Sequence, residues 1–162
     1  MPDLLNKPPK QVLLFSVQDI YACIDLLCVN KILSLPQLNI MPGCSNYLAG
    51  LMNLSGKSIP VIDLALRLGA HRKTPYSTDT PILLCSHGAQ QIGIIVDEII
   101  GLNSFTDNLL QENTQFSTND SPFLGTLNLN SQLYLLMDIQ KIINTQFADN
   151  ESTIHRVQKT HD

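Results

Sequence analysis

An all-β fold trimmed with short helices is what the sequence predicts, and three observations carry that expectation. Apolar residues come in short runs, such as VLLFSV, ILLCS and LYLLM, bounded by Gly, Asn, Asp, Ser or Pro. Several runs come in pairs separated by residues suited to tight turns, the pattern of β-hairpins. The whole pattern then occurs twice along the chain, which points to two similar subdomains.

Taken in order, residues 1–10 (MPDLLNKPPK) carry three prolines and read as a flexible arm. Leu13, Phe15 and Val17 alternate, and Gln18-Asp19 turns the chain into IYACID, a first hairpin. LLCVNKIL fits either a strand or a short turn. LPQLNIMPG, with Pro36 and Pro42, is extended or looped, because proline lacks the N–H that a central strand needs. Cys44–Ala49 is expected to form one helical turn.

The stretch from Gly50 to Gly69, GLMNLSGKSIPVIDLALRLG, holds two apolar runs split by Ser55-Gly56-Lys57-Ser58. Gly56 takes positive φ without strain, so the second hairpin reverses there. Asp63 before Leu64, with Gly69 after Leu68, marks the two ends of a short helix. Residues 71–81 are a polar connector. ILLCS (82–86) and QIGIIVDEI (91–99) form another hairpin across His87–Gln90, with Asp97-Glu98 as an exposed strand end. Residues 105–120 are polar and read as a mobile loop. FLGTLNLNSQLYLLMDI is a last hairpin turning at Asn130-Ser131, and IQKIINTQF is an amphipathic C-terminal helix. Residues 148–162 form a polar tail.

The duplication is visible residue by residue. Gly50 falls on Gly125, Asn53 on Asn128, Leu54 on Leu129 and Asp63 on Asp138, with no gap. In the first hairpin Leu13, Leu14 and Ser16 fall on Leu83, Leu84 and Ser86. With a slightly longer turn, Ile20, Ile24 and Asp25 then fall on Ile92, Val96 and Asp97. This predicts subdomains over about 11–70 and 80–145. Asp63 and Asp138 both stand directly before helical segments, so they read as helix caps rather than as an acid–base pair. Each such cap stabilises by about 1 kcal/mol.

Composition excludes several functions. Of 162 residues, 44% are hydrophobic and 15% charged, enough for a sizeable core under a sparsely charged surface. A net charge of -4 argues against nucleic acid or an anionic membrane as partner. No apolar run is long enough to span a bilayer, and the first residues lack the order of a signal peptide, so a cytoplasmic protein is expected. Cys23, Cys28, Cys44 and Cys85 form no CxxC pair and combine with no histidine in a metal-ligand pattern. They read as free thiols, and no metal or cofactor is expected. No nucleophile–base spacing or phosphate loop is present, which leaves an enzyme or a small-molecule-binding barrel with thin support.

The series LLFSV, YACIDLLCVNKIL, MPGCSNYLAGLMNLSGKSIPVIDLALRLG, QIGIIVDEI, LGTLNL and LYLLMDIQKII resembles the CheW-like family of chemotaxis coupling proteins. The likeness runs from about Val12 to Phe147, a domain over 11–147. It implies two five-stranded SH3-like barrels packed together and a non-enzymatic adaptor. The implied partners are the regulatory domain of a CheA-like histidine kinase and the cytoplasmic tip of chemoreceptors. That kinase domain is itself CheW-like, so barrel ends meeting barrel ends would allow rings, at receptor arrays on the membrane.

The resemblance further implies a receptor groove that includes the valine of a V-x-E-I segment, here Val29, with Ile32 completing the segment. It puts the hairpin from Gly50 through Leu54, Ser55 and Gly56 where partner binding is expected. Two positions depart from the family pattern. Ser55 replaces the arginine of Asn-Leu-Arg-Gly, and Lys31 replaces the glutamate of V-x-E-I. An interface arginine often anchors binding, and a reversed charge redirects encounter. A divergent partner set follows, with the coupling protein of a type IV pilus or other non-flagellar system as the alternative. Val29 equally fits a core position, and Gly50 and Gly56 fit backbone requirements.

Overall fold

A computed structural model describes residues 8–112 and 121–144. Residues 1–7 of the expected arm, 113–120 of the polar loop, the last residues of the C-terminal helix and the tail lie outside the described residues.

The first hairpin pairs β1 (Lys10–Val17) with β2 (Ile20–Asp25) across Gln18-Asp19. A 3-10 turn (Leu26–Cys28) leads into β3 (Val29–Ser34), so the ambiguous LLCVNKIL is both turn and strand. β4 (Leu48–Leu54) and β5 (Lys57–Asp63) make the second hairpin and feed helix α1 (Leu64–Arg67). β6 (Pro81–His87) and β7 (Gln90–Ile95) make the third. The chain continues through β8 (Glu98–Phe105), a 3-10 turn (Asp107–Leu109) and β9 (Leu110–Gln111). β10 (Phe123–Leu129), β11 (Gln132–Met137) and helix α2 (Ile139–Ile143) close the fold.

Among the described residues two sheets result, one ordered β8-β1-β2-β11-β10-β9 and the other β3-β6-β7-β5-β4. Mostly β structure with short helices therefore holds, with six strands in one sheet and five in the other. The expected partition into 11–70 and 80–145 does not describe the sheets. Each sheet takes the first hairpin of one repeat and the second hairpin of the other. The joints are parallel: β2 runs beside β11 through Ala22↔Leu135, and β7 beside β5 through Ile94↔Ile62. A hairpin satisfies its own inner ladder, but its outer edges pair with whatever edge the fold brings alongside. Sequence adjacency does not choose that partner.

Both sheets curl. Edge strands β8 and β9 are joined by residues 106–109 alone, a span of at most about 18 Å, whereas six flat strands would put those edges about 24 Å apart. The other sheet behaves alike: just beyond β3, Asn39 and Leu51 of β4 exchange two backbone hydrogen bonds of 2.8 Å. Each sheet is thus a barrel whose open seam is crossed by a connector.

Three cores follow from strand alternation. Val12 and Leu14 of β1 point into the six-stranded barrel with Leu127 and Leu136. Met52, Val61, Ile82 and Leu84 fill the five-stranded one. Leu13, Phe15 and Val17 point the other way and meet Ile62, Leu83, Ile94 and Ile142 in a core between the barrels. Covering both faces explains why β1, β6 and β7 read as continuous apolar runs. Phe15 is wholly buried there, a contribution of roughly 2–3 kcal/mol.

Three local expectations change. Residues 44–47 turn the chain directly into β4, which begins at Leu48, in place of a helical turn. β8 is a full strand where no strand was expected beyond residue 99. The first-hairpin repeat has turns of equal length: Gln18 and Gly88 both take positive φ at the same turn position. Cys23 is then equivalent to Gly93, each paired with the equivalents Leu136 and Val61. The matches of Ile20, Ile24 and Asp25 to Ile92, Val96 and Asp97 are displaced by two residues.

Candidate interaction surface

The two helix caps behave alike. Asp63 accepts from Ala65 N at 3.0 Å and Leu66 N at 3.4 Å; Asp138 accepts from Gln140 N at 3.0 Å and Lys141 N at 3.4 Å. Each caps the helix that follows it. Asp63 has more. Arg72 of the connector donates from Nε at 2.7 Å and Nη2 at 2.8 Å, and Tyr76 adds its hydroxyl. Burial of Asp63 would push its carboxyl up, but the Arg72 and Tyr76 hydrogen bonds and the Arg72 charge outweigh it and hold the carboxyl below its usual range. The same contacts raise Arg72 above the ordinary guanidinium, and burial and Asp63 raise Tyr76. Asp97, expected as an exposed strand end, instead accepts from Arg72 Nη1 at 3.0 Å and from Gln18.

The remaining candidates fall into separate places. Val29, Lys31 and Ile32 lie on β3, an edge strand. Val29 is half-buried against the core between the barrels, whereas Lys31 and Ile32 are exposed, Ile32 by 48%. Register aligns Val29 with Cys85 and Ile32 with Leu83, so both face the side that carries the inter-barrel core. Gly50 lies on β4, the opposite edge. It is buried, and a Cβ there would stand 2.7 Å from the Asn39 carbonyl, so its role is close backbone approach. Leu54 is half-buried against the core of its own barrel. Ser55 and Gly56 form an exposed two-residue turn, with φ of 51° and 82°, at the same end of the sheet as the β6–β7 turn. The candidate set is therefore an edge patch on β3 and a separate hairpin tip.

A second edge patch went unread in the sequence. β8 is the equivalent of β3, with a β-bulge at the matching place. Ile99 packs against the inter-barrel core as Val29 does, and Leu102, paired with Leu13, is 62% exposed on the same side as Ile32 is in its own sheet. The first-hairpin repeat, extended with turns of equal length, was the available signal.

Among the described residues, no group of three or more His, Cys, Asp or Glu side chains could hold a metal ion. A cavity of ≈ 750 Å³ beside Leu26 and Leu27 is lined by Lys10, Asp25 and Asp107, with Lys10 already paired to Asp107 at 3.3 Å. Among the described residues, no helix is long and apolar enough to cross a membrane.

The family model for the CheW-like domain matches residues 11–147. The chain belongs to the CheW-like family. A probable chemotaxis protein CheW from Rhizobium etli is 25% identical over 150 residues, covering 91% of this chain and 94% of that protein. The crystal structure of scaffolding protein TtCheW from Thermoanaerobacter tengcongensis superposes with a TM-score of 0.72 at 25% identity, over 81% of this chain and 90% of that one. Protein PilI from Pseudomonas aeruginosa is 30% identical over 77 residues, 48% of this chain and 43% of its own. This CheW-like chain is a chemotaxis-type scaffold, not an enzyme. The two apolar edges and the hairpin tip, rather than any pocket of reactive groups, are its candidate surface.

Proposed function

We propose that the chain is an adaptor that couples chemoreceptors to a CheA-like histidine kinase through protein–protein contacts. The observation that carries this reading is the apolar edge of β3, half-buried Val29 followed by exposed Ile32, beside the inter-barrel core of a CheW-like scaffold. A receptor tip is a helical hairpin, and a helix lays its apolar stripe along such an edge. Ser55 and Gly56 offer a second, separate contact for the kinase regulatory domain. Barrel ends that meet that domain would also support ring assembly, and the reading puts the protein in the cytoplasm at receptor arrays. Titration calorimetry with the kinase regulatory domain and with a receptor-tip hairpin tests it. Binding of both supports the adaptor; no heat from either at about 100 μM overturns it.

A pilus-type coupling protein is the second reading. The partial likeness to protein PilI favours it, together with Lys31 and Ser55 at positions where the resemblance implies glutamate and arginine. Lys31→Glu and Ser55→Arg should then shift preference toward flagellar-type partners. Unchanged affinities for both partner sets would remove this reading.

A further inference from the structure

We infer that Arg72 is a positioning residue: through Asp97 it holds the start of β8 in one setting against both barrels, so that the apolar edge carrying Ile99 and Leu102 is preformed. The observations form a closed ring of contacts. Arg72 spends all three guanidinium nitrogens, Nε and Nη2 on Asp63 and Nη1 on Asp97. Asp97 stands where the chain crosses from β7 in one barrel to β8 in the other. Its second oxygen accepts the Gln18 backbone N–H and, at 2.9 Å, the Gln18 amide. Gln18 returns the connection: its Oε1 accepts from the backbone N–H of Lys73, the neighbour of Arg72, at 3.2 Å. Arg72, Asp97, Gln18 and Lys73 thus tie the connector, the crossover and the β1–β2 turn into one cycle.

Each partner belongs to a different part of the molecule. Asp63 caps α1 on the five-stranded sheet, and Gln18 is the turn of a hairpin in the six-stranded sheet. A planar fork that is bonded at every nitrogen fixes angles as well as distances. The Arg72 side chain is 13% exposed and its guanidinium lies 4.8 Å from the Tyr76 ring centroid, so it is packed in place. Asp97 N donates to Ser16 O at 2.9 Å, which extends the hold to β1, the strand beside β8. The equivalent crossover, from β2 to β3, is held differently: Asp25 accepts from Leu27 N at 3.0 Å and caps its own 3-10 turn. The two edges, alike in sequence pattern, therefore differ in how firmly they are set, β8 by a long-range ring and β3 by a local cap.

The proposal rests on the adaptor reading only where it concerns partner affinity. Its test uses the full chain. Amide hydrogen exchange is compared for wild type, Arg72→Gln and Asp97→Ala; the last leaves the Asp63–Arg72 bonds in place. Exchange over residues 98–105 should rise by about tenfold in Asp97→Ala while β10 and β11 stay protected, and in Arg72→Gln, which also destabilises the whole fold, it should rise by about tenfold more than in β10 and β11. A receptor-tip hairpin, whose proposed seat is the separately held β3, should bind Asp97→Ala as it binds wild type, and Arg72→Lys, which keeps the charge but loses the fork, should not rescue the exchange effect. Unchanged exchange over 98–105, or a rise spread evenly across all strands, overturns the proposal and leaves Arg72 a stability element. If the hairpin fails to bind wild type while the local rise is seen, the positioning role stands and the adaptor reading fails.

Discussion

Gly50 and Gly125 lie under the same obstacle. A Cβ on Gly50 would stand 2.7 Å from the Asn39 carbonyl oxygen, and one on Gly125 would stand 2.5 Å from that of Gln111. In the five-stranded barrel the connector beyond β3 runs over this glycine, and in the six-stranded barrel β9 does. The repeat therefore preserves a backbone crossing, and the glycine match is its sharpest residue-level mark.

Substitution there should be costly. Gly50→Ala and Gly125→Ala must displace backbone, and each is expected to destabilise by on the order of 2–4 kcal/mol. Gly56→Ala meets nothing within 4 Å but keeps φ at +82°, so about 1 kcal/mol is expected. Urea unfolding of the three variants checks the order. Losses at Gly50 and Gly125 no larger than at Gly56 would show that the crossing does not set the cost.

Arg72→Ala leaves the buried Asp63 carboxylate with Tyr76 and two backbone N–H groups. The loss expected near neutral pH is about 3–4 kcal/mol, within the range for removing one partner of a buried pair. Its pH course follows from the direction of the Asp63 shift. The depressed carboxyl of the wild type contributes stability that is present above the unfolded value of about 3.9 and is lost as pH falls through the lower folded one. Without Arg72 less opposes the burial of that carboxyl, so it stands higher in the variant than in wild type. The gap between the two proteins should be widest near neutral pH and narrow below about pH 5. Thermal unfolding from pH 3 to 8 measures it, and a gap independent of pH would refute the assignment.

Ser131 takes φ of 65° directly after Asn130 at 52°, in a two-residue turn between β10 and β11. Such turns favour Asn-Gly because both residues sit in the left-handed region. Ser131→Gly should raise stability by about 1 kcal/mol, read as an upward shift of the denaturation midpoint.

Burial pushes the thiols of Cys23 and Cys85 up to about 12. At pH 8 in native protein neither should react with a thiol-specific reagent over minutes, and both should react once denaturant opens the barrels. Mass spectrometry of labelled peptides distinguishes the sites. Fast native labelling of Cys85 would mean that the inter-barrel core opens readily.

The hairpins, the caps at Asp63 and Asp138 and the duplication were legible because each depends on residues close in sequence or on direct repetition. β8 was not, since Gly101 and Asn103-Ser104 resemble turn residues; they occupy an edge strand whose outer face does not need apolar side chains. The exchange of hairpins between barrels was equally hidden. Nothing local in IYACID distinguishes an edge that will pair with β11 from one that will pair with β3. The ring through Arg72 joins residues far apart in the chain, and a lone arginine in a polar connector carries no sign of its partner. Of the candidate surface, Ile32, Ser55 and Gly56 proved exposed, while Gly50 was a backbone requirement. Leu102 could have been found only by extending the repeat with turns of equal length.

The parallel joint between β2 and β11 also orders events during synthesis. β3 to β7 are all made before residue 96, so the five-stranded sheet has its full set of strands early. The β1–β2 hairpin leaves the ribosome first, yet its neighbour β11 is among the last strands made. Its apolar edge must wait, exposed, for most of the chain to appear. A ribosome that stalls in the connector at 70–80 therefore releases no half-protein able to fold: the fragment would hold one hairpin without its sheet and one sheet without its centre.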